Sequence, residues 1–376
     1  MNKPAASFLV VTALLAMTAA GGCGKSSEPS PVIRVGHSPH DHHAPLYVAA
    51  LNPDHFRERG DLYLREITAK KEYELVSGGV VTARVVIDSS VGGKELIRKL
   101  AEDHFDISFG GVPAMLAFID KGAPIRIVSP VMAEGAGLVV PPDLPVDSWE
   151  EFLDHVRGRE EPFRVGYKMG LSVQNLIFEA ALDEVGISYS KDLDAGDAEI
   201  ILVNTHGPKN LAPALEGGII DGFVIMQPFL SLAEEKGIGK TIAMLSELPP
   251  RGRWEGNPCC ALAASTVFVG SHPGPAEAFV TLMMRANAFV AERPGESAGL
   301  VAEWLGVPRP VEERSLPTIR FSVDSEGNWD RGVDFWVESM IDRNVLQGLV
   351  RESYRQGDHR ELIYALELYR AARTRM

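Results

Sequence analysis

The sequence predicts an α/β fold in two lobes, each with a mostly parallel sheet flanked by helices. Strand and helix patterns alternate along the chain, residues 84–128 recur at an offset of 115 residues, and the length exceeds what one core serves. The strand signals lie at 33–36, 83–88, 106–109, 125–131, 163–166, 200–204, 222–226 and 241–245, with helical periodicity between them and Pro or Gly at the junctions.

The repeat is the stronger observation. Laid on itself, the chain pairs Gly92 with Gly207, Lys94 with Lys209, Leu96 with Leu211 and Leu100 with Leu215. The match continues through Asp106 and Asp221, Pro113 and Pro228, Gly122 and Gly237, and Ile127 and Ile242. Each copy reads strand, Gly turn, helix, Asp-led strand, Pro-started helix. Leu96 and Leu100 sit one helical turn apart and so bury one face against a sheet. Two such units need two hinge crossovers, and the extended apolar stretches 137–140 and 261–269 are the candidates. Lobe I is then 32–137 plus 262–376 and lobe II is 138–261, with the helical patterns at 276–293 and 331–344 returning to lobe I.

Ahead of the lobes, Lys3 precedes an uncharged apolar run over 8–20, then Gly21, Gly22 and Cys23. That is the order of a lipoprotein export signal (1–22), with Cys23 as the lipidation residue. The run is too short to span a bilayer of roughly 30 Å. A polar, Ser/Pro-rich tether follows over 23–31. The expectation is a protein lipid-anchored to the periplasmic or extracellular face of a bacterial membrane.

Loss of the signal moves the net charge from −14 to −15, because Lys3 is its only charged residue. An acidic surface of this size argues against nucleic acid as partner, while a pocket's local field can still favour an anion. Cys259 and Cys260 remain after lipidation. Adjacent cysteines form a disulfide only in a strained ring, so two buried reduced thiols are expected.

In open α/β sheets a ligand binds beyond the carboxyl ends of the strands, where loops meet helix starts. That rule selects Ser89 and Ser90 in one copy and Thr205 and His206 in the other, as polar groups facing each other across a cleft. The next matched turns add Gly110, Gly111 and Val112 against Gln227, and the turn after 163–166 adds Ser172. Each Ser or Thr is equally readable as an ordinary helix cap. After the first strand come His37, His40, Asp41, His42 and His43, with Pro45 starting the next helix. The positive helix end disfavours imidazolium there. These histidines are readable as structural, as polar ligand contacts, or as a transition-metal site of His37, His40, His42 and His43, although their spacing matches no fixed zinc signature. No G-x-S-x-G elbow, P-loop, H-E-x-x-H or G-x-G-x-x-G occurs, and nothing local makes Cys259 a nucleophile.

The segments IRVGHSPHDHHAPLYVAA, FDISFGGVPAMLAFIDKGAPIRIV and PALEGGIIDGFVIMQPFLSLA resemble the periplasmic substrate-binding components of the nitrate, taurine and alkanesulfonate class of ABC importers, over about 33–341. The resemblance implies a two-lobed, type II-like periplasmic-binding-protein fold that closes on a small polar or anionic solute. It implies partnership with ABC permease subunits; the missing catalytic motifs add the expectation of no enzyme activity, and the histidine run that of no cofactor beyond a transition metal. It also implies ligand contacts after the first strand, at Ser89 and Ser90, at 110–113, at Ser172 and near Gln227. The histidine run and Cys259 and Cys260 depart from the class, and leave two alternatives: an exported metal-binding protein, or an enzyme of the pyrimidine-precursor synthase type.

Overall fold

The computed structural model describes residues 30–90 and 92–376, so the export signal and Cys23 lie outside the described residues. Strands β1 (Val32–His37), β2 (Leu62–Thr68), β3 (Glu72–Ser77), β4 (Val80–Ser89), β5 (Ile107–Gly111) and β6 (Ile125–Glu134) belong to one sheet. The second sheet takes β7 (Ala136–Val140), β8 (Phe163–Tyr167), β9 (Tyr189–Ser190), β10 (Ile200–Asn204), β11 (Gly222–Met226) and β12 (Lys240–Met244). Strands β13 (Pro258–Ser265) and β14 (Ile319–Phe321) return to the first, giving orders β14-β6-β13-β5-β1-β4-β3-β2 and β12-β7-β11-β8-β10-β9.

The internal repeat is visible in these orders. Strands β4, β1, β5 and β6 occupy the same relative places as β10, β8, β11 and β12, and β5 and β11 are 115 residues apart at both ends. In each sheet one antiparallel strand is inserted at the same place: β13 between β5 and β6, and β7 between β11 and β12. Of the expected crossovers, 137–140 lies in β7 and 261–265 in β13, while 266–269 opens the helix Thr266–Ser271. The chain crosses at Gly135, between β6 and β7, and again over 245–257. A strand buried on both faces reads as a continuous apolar run, which sequence periodicity does not separate from an extended linker. Gly135 has φ +64, and a Cβ there would come within 2.4 Å of Ile319 Cγ1, so the crossing is confined to a residue without a side chain.

The β2–β3 ribbon was not foreseen. It pairs onto β4 through the two-residue turn Gly78–Gly79, both with positive φ, as tight hairpins require. The C-terminal region is helical apart from β14, as its periodicity predicts. The helix Pro273–Glu292 buries Phe279, Val280, Leu282, Met283 and Met284 beneath the first sheet's helices.

Matched ion pairs fix matched strands. Near the start of β1, Asp106 accepts from the Arg34 backbone N–H at 2.7 Å and from its guanidinium at 3.0 and 2.6 Å. Near the start of β8, Asp221 accepts from the Arg164 N–H at 2.8 Å and its guanidinium at 3.2 and 2.8 Å. The Asp that leads each repeated strand thus ties that strand to its neighbour, away from the carboxyl ends where a ligand site is expected.

Candidate functional site at the strand ends

The turn leaving β1 is compact because it is held by its own side chains. Tyr47, on the helix Ala44–Leu51, donates its hydroxyl proton to the carbonyls of Ser38 (2.9 Å) and His40 (3.0 Å). Asp41, His42 and His43 form one 3-10 turn, and all five of His37, His40, Asp41, His42 and His43 are buried. Burial disfavours imidazolium: His37 is pulled down to about 4, and His40 and His43 well below 6.5, helped by the neighbouring histidines and Lys168. These rings are therefore neutral at pH 7.

Neutrality fixes the tautomer of His43. His43 Nδ1 accepts the Ser38 backbone N–H at 2.9 Å, so its proton sits on Nε2, which is buried without a partner. His42 Nε2 donates to the Gly135 carbonyl at 3.2 Å, and its Nδ1 faces Cys259 Sγ at 3.5 Å and Cys260 Sγ at 3.8 Å. The two sulfurs are 4.0 Å apart and both thiols are free. The hydrogen bond from Cys260 holds the Cys259 thiol well below its ordinary range, with His42 and Lys168 acting the same way, while Cys260 as donor is pushed up.

From the second sheet comes Lys168, one residue past β8 and buried. Among the described residues its Nζ donates to Met226 Sδ at 3.3 Å, and no carboxylate pairs with it. Burial lowers its pKa, and the two cysteines oppose that fall. Gln174, on the helix Val173–Val185, directs its amide Nε2 toward Cys259 Sγ at 3.7 Å. Its Oε1, like His40 Nδ1, is buried without a partner.

These groups enclose a cavity of about 20 Å3, lined by His40, His42, His43, Gly110, Gly111, Lys168, Ser172, Gln174, Cys259 and Cys260. That volume admits a single water-sized or ion-sized species. A larger hollow of about 620 Å3 is rimmed by the exposed Glu150, Glu247, Arg251 and Glu255 and lies away from the histidine turn.

Of the residues the sequence singles out, the cavity gathers His40, His42, His43, Gly110, Gly111 and Ser172, the last also capping its helix through the Asn175 N–H. The others lie elsewhere. His37 packs edge-on against Tyr47 and Trp304 and belongs to the core, so the four-histidine metal set is not assembled. Ser89 is exposed, the Ser90 N–H is spent on the His37 carbonyl, and Val112 is fully buried in its helix. Thr205 donates its hydroxyl to the Tyr167 and Gly207 carbonyls, and His206 is exposed. Gln227 accepts from the Ser231 N–H and reaches Thr318 at 3.4 Å. Sequence reasoning placed Gln174 in the candidate turn with Ser172 without giving it a role, and it missed Lys168, both cysteines as lining, and Glu312. Glu312 is buried beside Asp41 and is raised to about 10 by that burial and by Asp41, which is itself raised to about 6. Ser315 donates to Asp41 Oδ2, while among the described residues Asp41 Oδ1 and both Glu312 oxygens are buried without a hydrogen-bond partner.

Two α/β sheets of matched strand order, joined by two crossings and meeting at a polar cavity, define the periplasmic-binding-protein fold. The chain belongs to the NMT1-like family, whose model matches residues 26–306. It is similar in structure to the ligand-binding component of an ABC-type import system from Staphylococcus aureus with zinc bound: TM-score 0.69, 16% identity, 91% of this chain and 99% of that one covered. The nitrate-binding protein of Synechocystis PCC 6803 gives 0.67 at 14% identity, covering 92% and 89%. The alkanesulfonate-binding protein of Xanthomonas axonopodis pv. citri, bound to MOPS, gives 0.62 at 14%, covering 85% and 96%. In sequence, an uncharacterised protein of Methanocaldococcus jannaschii is 30% identical over 123 residues, 32% of this chain and 85% of that protein. Among the described residues no helix is long and apolar enough to cross a membrane.

Proposed function

We propose that the chain is the solute-binding component of an ABC-type importer, lipid-anchored through Cys23, which closes its two lobes on a small anionic or polar solute and presents the closed form to a permease. One observation carries this reading: among the described residues the buried Lys168 amine has no carboxylate partner, at a cavity whose other wall holds His43 Nε2, also without a partner. A buried charge is costly unless paired, and an anion between the lobes would pair it. The donors arrive from both sheets, so a bound solute stabilises the closed arrangement over the open one. At about 20 Å3 the cavity suits an ion or small oxoanion, and a larger organic solute requires it to open further.

Binding, not turnover, is what this geometry supports. His42 and Cys259 do form a close pair, contrary to the expectation that nothing supports one, and both are buried in the wall of a cavity of about 20 Å3, too small for an organic substrate beside them. The test is native mass spectrometry of the purified chain for a retained solute, followed by thermal denaturation against nitrate, bicarbonate, sulfonates and carboxylates. A ligand at a hundred times its Kd stabilises by about 2.7 kcal/mol. No retained solute and no shift with any anion would remove the proposal.

A further inference from the structure

The geometry points to a mononuclear thiophilic metal site made by His42 Nδ1, Cys259 Sγ and Cys260 Sγ, with its fourth position open to the cavity. This deepens the solute-binding reading and rests on it only for the metal's role as cargo or as the anchor of a bound anion.

Three independent features of the chain converge on it. The first is distance. A tetrahedral centre with metal–sulfur bonds of about 2.3 Å and metal–nitrogen bonds of about 2.0 Å separates its donors by roughly 3.8 Å (S to S) and roughly 3.5 Å (N to S). The three separations here are 4.0, 3.5 and 3.8 Å, without rearrangement of any side chain. The second is backbone. Successive side chains of a regular strand point to opposite faces, so adjacent cysteines do not normally reach one ion. Here the β13–β6 ladder slips between Pro258 and Cys260 and again between Cys260 and Ala261, and both sulfurs come to the same side. The third is the outer contact of each donor. The Gly135 carbonyl takes the His42 Nε2 proton and leaves Nδ1 as the ligating nitrogen, and the Gln174 amide reaches the Cys259 sulfur.

Two thiolates and a neutral imidazole select a soft or borderline ion such as zinc(II) or copper(I). With a divalent ion these three donors make a neutral centre. A small anion on the fourth position would then be balanced by the Lys168 ammonium in the same cavity. The histidine turn thus supplies one ligand, and the remaining two come from a strand more than two hundred residues later.

The test uses the purified full chain, reduced and stripped of metal, titrated with zinc(II) against a competing chelator and separately with cobalt(II). Expected are one equivalent per chain and a cobalt spectrum with thiolate charge-transfer absorption and tetrahedral ligand-field intensity. Cys259→Ser and Cys260→Ser should each lose about half of the charge-transfer intensity, and these variants and His42→Ala should weaken zinc at least tenfold. Circular dichroism of the stripped variants checks that they fold. The site is refuted if reduced protein takes up no metal, if cobalt shows no thiolate band, or if both cysteine variants bind as the parent does. Refutation with anion-dependent thermal shifts intact would leave the solute-binding reading standing. Metal binding in a chain that no permease requires would leave the site standing and end the transport reading.

Discussion

Near the starts of β1 and β8, Asp106 and Asp221 make the same three contacts to Arg34 and Arg164 within a few tenths of an ångström. At the opposite ends of those strands the two sheets have nothing in common. After β1 the chain buries three histidines and an acid; after β8 it buries one lysine and then caps a helix with Ser172. Duplication has been kept where it holds strands together and lost where the cavity is lined. The cavity therefore has a soft, imidazole and thiol wall on one side and a cationic wall on the other, which no symmetric pair of turns would supply.

The sharpest way to break this contrast is to remove the cationic wall. Lys168→Met keeps the length and apolar stem of the side chain while deleting an ammonium that lacks a carboxylate. Anion affinity should fall about ten- to a hundredfold, since a hydrogen bond to a charged group contributes about 1.5–3 kcal/mol. Thermal stability of the unliganded chain should hold or rise. Calorimetric titration beside a denaturation curve reads both; equal loss of stability and affinity would mean that Lys168 serves packing only.

The amino ends sharpen the contrast from the other side. Asp106→Ala should cost about 2–3 kcal/mol, since it strips partners from a backbone N–H and a guanidinium beside a carboxylate that is 6% exposed. Asp221→Ala, at 24% exposed, should cost about 1–2 kcal/mol. Urea denaturation reads the difference, and neither change should alter ligand affinity.

The architecture was legible because its signals are local and doubled. Asp-led strands, Gly turns and Pro-started helices recur at one offset, and the strand orders follow them. The site was legible only in part, and for an identifiable reason. The repeat aligns from residue 84 onward, so it directed attention to Ser90 and Thr205 and to Gly110 and Gly111; the cavity uses the last two, with Gly93 and Lys94, but most of its polar lining comes from the turns after β1 and β8. Those two turns share no residues, so comparing the copies could not reveal them. Cys259 and Cys260 read as two buried reduced thiols because adjacent cysteines pair only in a strained ring, and the slip in the β13 ladder that brings both sulfurs to one side leaves no mark in sequence. Glu312, on a distant helix, becomes a partner of Asp41 only through packing.

That pairing makes the first wall pH-sensitive in two opposed directions. His37, His40 and His43 have depressed values in the fold, so the stability they contribute is present above 6.5 and is lost as pH falls. Glu312 is raised from 4.5 to about 10, so its contribution is present below 4.5 and lost as pH rises, with Asp41 acting likewise up to about 6. Between pH 6.5 and 5 the three histidines outweigh the acids and the chain should lose stability on acidification. Glu312→Gln removes one opposing proton and should steepen the loss by about 1.4 kcal/mol per pH unit. Denaturation at a series of pH values checks the slope; an unchanged slope would mean that Glu312 is ionised in the fold.

The smallest expected effect tests the contrast at its most exposed point. Thr205 and His206 are the second copy's counterparts of Ser90 and its neighbour, and a symmetric cleft would make them ligand contacts. In the structure the Thr205 hydroxyl is occupied by two backbone carbonyls, and His206 is exposed at φ +57 with its N–H on Asn204. His206→Ala should change solute affinity less than twofold and stability by at most about 0.5 kcal/mol, as surface substitutions do. Thr205→Ala should cost about 1 kcal/mol of stability through the lost turn bonds and leave affinity alone. Ser172→Ala, which removes both a helix cap and a lining hydroxyl, should lower the two together. If His206→Ala weakened binding as Ser172→Ala does, the two walls would have to be redrawn with the second copy's turn inside the site.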